Sequence, residues 1–270
     1  MKIFGVVDIG NTYAKIGFFK GEELIEVQSG LSIDELKNQL SLKKVKNVLI
    51  SSVTKNKEEL EEIFKEVSYE KLILDSTTPL PIEKDYETPH TLGSDRLAGA
   101  VGANFLYPQN DCLIIDMGTA IKYDYVTAAT SEHKAAFRGG IISPGMRIRF
   151  EALHTFTKRL PLVEADGIPA LIGKNTIDCI QSGVVNGISA EVNGMIENYK
   201  KLGNCQVILC GGDASFFESQ IKKPNFASLM EITEIDTGSI NNTSIELIPN
   251  LVLIGLNRIL RYNVEKPTFI

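Results

Sequence analysis

Asp116, Gly118 and Thr119 put a carboxylate, a pliable backbone position and a hydroxyl into one short stretch, between the apolar run Cys112–Ile115 and the alternating run Ile121–Val126. That order reads as strand, tight turn, strand. Glycine lets the backbone turn sharply and come close to a ligand, so the trio suits a phosphate group and its metal ion. The alternative is an ordinary hairpin with a solvated aspartate. The same device stands near the N-terminus. There an apolar run leads to Asp8, then Gly10, Asn11 and Thr12, then the alternating Ala14, Ile16 and Phe18. Internal self-similarity of this kind points to two related units, each with a phosphate turn, that clasp one nucleotide between them.

Three further positions have chemical potential. Gly93 and Ser94 start a helical pattern (Leu97, Val101, Phe105) whose first turn carries Asp95 and Arg96. An aspartate there can act on a ligand, or can simply complement the helix dipole. Gly211 and Gly212 follow the apolar run 206–210 at a strand-to-helix turn, which suits a flat base or a ribose but equally an ordinary tight connection. Thr176 stands at or near the start of the longest helical pattern, close to where a ligand would sit.

The elements that must hold these residues alternate. Ser32–Leu40 reads as a short helix with a capping box (Ser32, Glu35). Val45–Val53 reads as a strand, Asn56–Val67 as an amphipathic helix and Lys71–Leu74 as another strand. Residues 76–92 are a proline-rich loop that contains Tyr86; loops of this length are functional or disordered. A second unit starts near Asn110. After its hairpin come a strand, Ala135–Ile142, a helix, Met146–Thr157, and the long pattern Ile172–Leu202. Gly183, Gly187 and Gly194 interrupt that pattern, which predicts close approach of another backbone, within the fold or across a dimer. A strand at 206–210, a helix through Phe217, and a last helix, Leu251–Tyr262, opened by Pro249 complete the chain. Strands alternating with helices argue an α/β layer architecture, divided into 1–108 and 109–270.

Composition narrows the classes. The 270 residues are 43% hydrophobic and 23% charged, with a net charge of −6, ordinary for a soluble globular protein. No basic stripe is visible, which argues against nucleic acid as a partner. No apolar run approaches the roughly 20 residues of a membrane span, and the N-terminus does not read as a signal peptide. Cys112 and Cys210 lie in apolar runs, where a buried thiol is the rule. The four cysteines lack CxxC spacing and the three histidines are scattered, which argues against zinc and fits a reducing cytosol.

Taken together, DIGNTYAK (8–15), YETPHTLGSDR (86–96), DMGTAIKYD (116–124), GGIISPG (139–145), LPLVE (160–164), IGKNTIDCIQSG (172–183) and GGDA (211–214) resemble the type III pantothenate kinases. That family belongs to the actin-like (ribonuclease H-like) superfamily, with the sugar kinases and heat-shock chaperones. The resemblance implies two actin-like domains, each a mixed sheet flanked by helices, with the nucleotide in the cleft between them. It implies ATP-dependent phosphorylation of pantothenate to 4'-phosphopantothenate in the cytoplasm, the first step of coenzyme A synthesis, by a homodimer. Magnesium and a monovalent cation, potassium or ammonium, would be required. By position, Asp8, Gly10, Asn11, Thr12 and Lys15 resemble the first phosphate loop, with Asp8 on magnesium. Asp116 matches the monovalent-cation ligand and Thr119 an ATP contact. Gly93, Ser94, Asp95 and Arg96 match the pantothenate turn, with Asp95 as proton acceptor, and Tyr86 and Thr176 match further substrate contacts. Arg96 would pair with a carboxylate, the substrate's or a neighbour's. A non-catalytic regulator on the same fold, binding nucleotide or pantothenate, is the alternative; intact Asp8, Asp95 and Asp116 argue against it. Another small-molecule kinase of the superfamily is a third reading, disfavoured by the GSDR turn.

Overall fold

The structure, a computed structural model, describes residues 2–11, 13–221 and 244–265. The chain divides into two compact units: Met1–Asn110 with Asp124–Gly139 and Asn250–Ile270, and Asp111–Tyr123 with Gly140–Pro249.

The first unit opens with β1 (Ile3–Ile9), β2 (Ala14–Lys20), β3 (Glu23–Ser29), α1 (Ile33–Leu42), β4 (Asn47–Ser52), α2 (Lys57–Ile63), β5 (Glu70–Ile73), β6 (Glu83–Lys84) and α3 (Ser94–Leu106). Its mixed sheet runs β3-β2-β1-β4-β5. The β1 and β2 strands pair antiparallel, whereas β1, β4 and β5 run parallel. Parallel strands are covered on both faces and so read as near-continuous apolar runs, which is what Phe4–Val7 and Val48–Ile50 supply. Helices α1 and α2 each start on a complete capping box, Ser32 with Glu35 and Asn56 with Glu59. Leu36 and Leu40 of α1 and Leu60 of α2 pack on Val7, Ile16 and Phe18 of the sheet. The β3 strand escapes sequence reading because its residues alternate between half-buried and exposed and include three glutamates or glutamines, an edge-strand composition.

The second unit contributes β7 (Asp111–Met117), β8 (Ala120–Thr127), β9 (Ala136–Pro144), α4 (Met146–Thr155), α5 (Thr176–Lys200), β10 (Cys205–Cys210), α6 (Ala214–Ile221) and β11 (Ile245–Leu247). The unit boundaries fall inside β8 and β9. Within this unit the strand order is β11-β10-β7-β8-β9. The β10 and β7 strands are parallel, with Cys210 opposite Asp116. Cys112 and Cys210 are buried, and burial pushes the Cys112 thiol up to about 12.

The last helix, α7 (Leu251–Val264), belongs to the first unit, as do residues 124–139; a division at 108 assigns both to the second. The reason lies in small residues. A Cβ on Gly255 would sit 1.7 Å from the Ala98 carbonyl oxygen, and one on Gly102 would sit 2.6 Å from that of Leu251. Backbone-to-backbone contact between α3 and α7 therefore requires glycine at both places. Of the two approaches expected at the α5 glycines, the one within the fold is not found among the described residues, which leaves the one across a dimer. A Cβ on Gly183, Gly187 or Gly194 would meet nothing within 4 Å, so no backbone of the described chain approaches them. That helix also starts later than the apolar pattern, at Thr176, because the Asn175 side chain accepts from Asp178 N–H and fixes the N-cap there.

Candidate active site

In the first unit, strand register assembles the site. Asp8 stands near the end of β1, opposite Lys15 on β2 and beside Ser51 on β4. An antiparallel partner directly opposite shares the same sheet face, so the carboxylate and the ammonium stem belong to one face. The Gly10 N–H donates to the Tyr13 carbonyl at 3.2 Å and closes the turn; Asn11 is exposed on it. Thr12 lies outside the described residues. Ser51 Oγ donates to Ser94 Oγ at 2.9 Å, and Ser94 Oγ donates to the Ser52 carbonyl at 3.2 Å. These bonds fasten the start of α3 to the strand next to Asp8. Gly93 is the N-cap of α3.

Asp95 turns back over that helix start. Its Oδ1 accepts the Arg96 N–H at 2.9 Å, and a Cβ on Gly93 would come within 2.6 Å of the same oxygen. The carboxylate therefore lies in the first turn, at the positive end of the helix dipole, and bonds the backbone there. A cavity of about 380 Å³, within the size range of small-molecule pockets, reaches the helix start at Gly93 and Ser94 and is otherwise lined by residues such as Ser52, Asn56, Asp75 and His90; Asp95 and Asp8 are not among its lining residues.

Arg96 is buried, and its partner is a neighbour of the chain. Nε and Nη2 donate to Asp124 Oδ1 at 2.8 and 2.5 Å. The guanidinium centre lies 5.9 Å from the Tyr86 ring and 5.4 Å from the Phe137 ring. Burial works against its charge, but Asp124 outweighs burial and raises its affinity for the proton. Tyr86 meets Phe137 edge to face, with ring centres 5.9 Å apart. The loop that holds Tyr86 is tied down: Glu83 and Asp85 N–H groups donate to the Ala135 and Phe137 carbonyls at 2.8 and 3.0 Å, and Arg138 pairs with Asp85 at 2.6 Å.

In the second unit, three loops meet around Asp116. The turn Met117–Ala120 closes through Gly118 N–H to the Ala120 carbonyl at 3.1 Å. Gly145 N–H donates to the Thr119 carbonyl at 3.1 Å, and Asp213 N–H donates to the Met117 carbonyl at 2.9 Å. A Cβ on Gly145 would stand 2.1 Å from the Gly118 oxygen, and one on Gly211, at φ +91°, would stand 2.5 Å from Asp116 Oδ1. Only glycine fits at either place. Gly211 and Gly212 are thereby brought to the Asp116 turn, as the parallel register of β10 and β7 requires. Burial raises the Asp213 carboxyl above its ordinary range. Thr176 is an exposed residue of the first turn of α5 and no part of this cluster.

A half-buried network joins β8, β9, α4 and α5. Arg149 donates to the Pro144 carbonyl at 2.8 Å, to Ser143 Oγ at 3.0 Å and to Glu191 Oε2 at 2.5 Å; Tyr123 donates to Glu191 Oε1 at 3.0 Å. Burial opposes the ionised form of Glu191, but the Arg149 guanidinium and the Ser143 and Tyr123 hydroxyls prevail and hold its carboxyl below the usual range.

The donor chemistry can be tested against the expected ions. Among the described residues no group of three or more His, Cys, Asp or Glu converges. A lone carboxylate such as Asp8 still fits magnesium, which keeps much of its water and takes further ligands from phosphates. A mobile monovalent ion fits Asp116 poorly. Lys122 Nζ already lies 2.7 Å from Asp116 Oδ2.

Sequence reasoning passed over Asp124, Ser51, Lys122 and Glu191. Asp124 had a visible signal, since it carries a charge inside the alternating run of β8, where its neighbour Tyr123 is also buried. Ser51 had none, because a serine at a strand end is commonplace.

The chain matches a family model described as Type III pantothenate kinase over residues 6–198. A Type III pantothenate kinase of Cytophaga hutchinsonii is 42% identical over 260 residues, covering 96% of this chain and 99% of that protein. One of Phocaeicola vulgatus is 38% identical, covering 96% and 98%. Among solved structures, component A of the (R)-2-hydroxyglutaryl-CoA dehydratase of Acidaminococcus fermentans superposes with a TM-score of 0.52 at 14% identity, over 97% of each chain. That likeness concerns fold alone, and it agrees with the expected α/β architecture of two mixed sheets flanked by helices.

Proposed function

The chain belongs to the type III pantothenate kinase family, and from that premise we propose that it transfers the γ-phosphoryl group of ATP to the primary alcohol of pantothenate, with Asp95 as general base. Pantothenate kinase activity in coenzyme A biosynthesis is the family's reaction. The observation that carries the residue assignment is the Ser51–Ser94 hydrogen bond. It ties the helix start bearing Asp95 to the strand beside Asp8, which supports the reading of a base and a phosphate turn on one side of the first unit.

Phosphoryl transfer asks a protein for positioning and charge neutralisation more than for covalent chemistry. Gly10 and Gly118 shape turns that their own N–H groups close, and the phosphate contacts are assigned to Asn11, Thr12 and Thr119 beside them, with Lys15 as a charge. Asp8 would hold magnesium, which would supply neutralisation of phosphate charge. Gly211 and Gly212 suit the nucleoside end. Asp95 accepts the hydroxyl proton as the alcohol oxygen attacks phosphorus. Gly93 and Ser94 support it, and Tyr86 and Thr176 serve as further substrate contacts. Arg96, already paired to Asp124, stiffens the turn and stacks beside Tyr86. We read the enzyme as a cytoplasmic homodimer. The exposed apolar side chains Phe156, Leu171 and Ile172, at 86%, 80% and 78%, support a covered surface, and no described helix is long and apolar enough to cross a membrane.

The test is a coupled ADP-release assay with pantothenate and a panel of other small alcohols. Pantothenate-dependent release well above the panel is expected. Release with another alcohol and none with pantothenate would move the protein to a different kinase, and no release with any would favour a regulator.

A further inference from the structure

Asp116 faces a positive charge that is already part of the chain. Lys122 Nζ lies 2.7 Å from Asp116 Oδ2, and only 17% and 18% of the two side chains are exposed. The other carboxylate oxygen is crowded by backbone. Oδ1 lies under Gly211, where even a methyl group would come within 2.5 Å of it. The two residues flank one tight turn, Asp116 near the end of β7 and Lys122 near the start of β8, so the ammonium is delivered locally by the hairpin itself.

An exposed ion pair contributes little to stability, and an enclosed one must overcome the desolvation of both charges. This pair is largely enclosed and stands on the turn assigned to phosphate. A mobile monovalent ion on Asp116 Oδ2 would have to share that oxygen with Nζ or displace it, and two like charges at contact distance repel strongly in a water-poor site. The lysine carries the same single charge and three N–H donors. Its 2.7 Å contact lies in the normal range for a charge-assisted bond. A tethered cation is also present at high effective concentration whatever the salt.

We propose that Lys122 is the resident monovalent cation of this site, so that the enzyme works without added potassium or ammonium. The proposal rests on the phosphate role given above to the Asp116 turn, and it departs from the ion requirement that resemblance implies.

Three measurements test it at constant ionic strength, with potassium, sodium or choline as the only added monovalent cation. Wild-type ADP release with pantothenate should vary less than about twofold among the three salts. Lys122→Thr should lose about tenfold or more in choline and recover with potassium or ammonium, a tenfold loss corresponding to about 1.4 kcal/mol. In melting experiments with a non-hydrolysable ATP analogue, potassium should raise the Tm of Lys122→Thr over choline and leave the wild type unmoved. Thallium-205 NMR should likewise detect a bound ion in the variant and none in the wild type. A wild-type enzyme that stops in choline and restarts in potassium would overturn the proposal. So would a Lys122→Thr variant that is fully active in choline. If the variant fails to fold, the wild-type salt series and thallium spectrum decide alone. If pantothenate proves not to be the acceptor, melting and thallium binding still decide, so the two readings fail separately.

Discussion

Removing the Asp124 carboxylate tests most sharply whether Arg96 is held in place by the chain. The side chains of Arg96 and Asp124 are only 6% and 3% exposed. Asp124→Ala leaves a buried guanidinium without its anion, which in general costs about 3–5 kcal/mol. Two aromatic rings, Tyr86 and Phe137, lie close to the guanidinium and remain in the variant, so the lower end, about 3 kcal/mol, is expected. At roughly 2–4 °C per kcal/mol for a chain of this size, Tm should fall by about 6–12 °C. Urea denaturation followed by circular dichroism gives the free energy, and a melting scan gives the Tm. The companion variant Arg96→Met/Asp124→Leu removes both charges and should recover most of the loss, because replacing a whole buried pair with apolar side chains is near neutral. A single-variant cost under about 1 kcal/mol would refute the reasoning, as would a double variant no more stable than the single.

Gly93→Ala should push Asp95 Oδ1 away from a Cβ 2.6 Å distant, lowering kcat by up to about a hundredfold with little change in Tm, because the obstructing atom ends a flexible side chain; unchanged kcat would argue against the carboxylate's placement. Gly145→Ala drives a methyl against the Gly118 carbonyl, 2.1 Å away. It should cost about 1–3 kcal/mol and weaken binding of an ATP analogue by calorimetry, and equal affinity would detach that turn from the nucleotide. Glu191, whose folded carboxyl is held below the ordinary 4.5, contributes stability that is present above that value and lost as pH falls through the folded one, since the unfolded chain then binds the proton first. Urea midpoints should therefore drop on acidification below about pH 4.5, less steeply in Glu191→Gln; identical slopes in both proteins would contradict this.

The two acidic glycine turns, the Ser32–Glu35 capping box and the long helices were legible in the residues because each is a local pattern. Ser32 and Glu35 signal a helix start whatever the rest of the chain does, and Asp8 or Asp116 at the end of an apolar run signals a strand that stops. What escaped depends on partners far away in sequence. The attachment of α7 to α3 turns on Gly102 and Gly255 meeting across the fold, whereas glycines of similar appearance in α5 meet nothing. Isolated glycines therefore do not distinguish close packing from open space. Arg96 offered two carboxylate partners on paper, and only the β8 strand decides for Asp124. Asp95 illustrates a different limit. The dipole and catalytic readings do not exclude each other, because a carboxylate at a helix start can complement the dipole and still accept a proton.

The most direct test of the central claim is the steady-state rate of pantothenate-dependent ADP release by the wild type and by Asp95→Asn, with pantothenate affinity measured alongside by calorimetry. A proton acceptor at Asp95 predicts a kcat lower by about a hundredfold to ten-thousandfold and an affinity nearly unchanged. Near-normal turnover in the variant would contradict it.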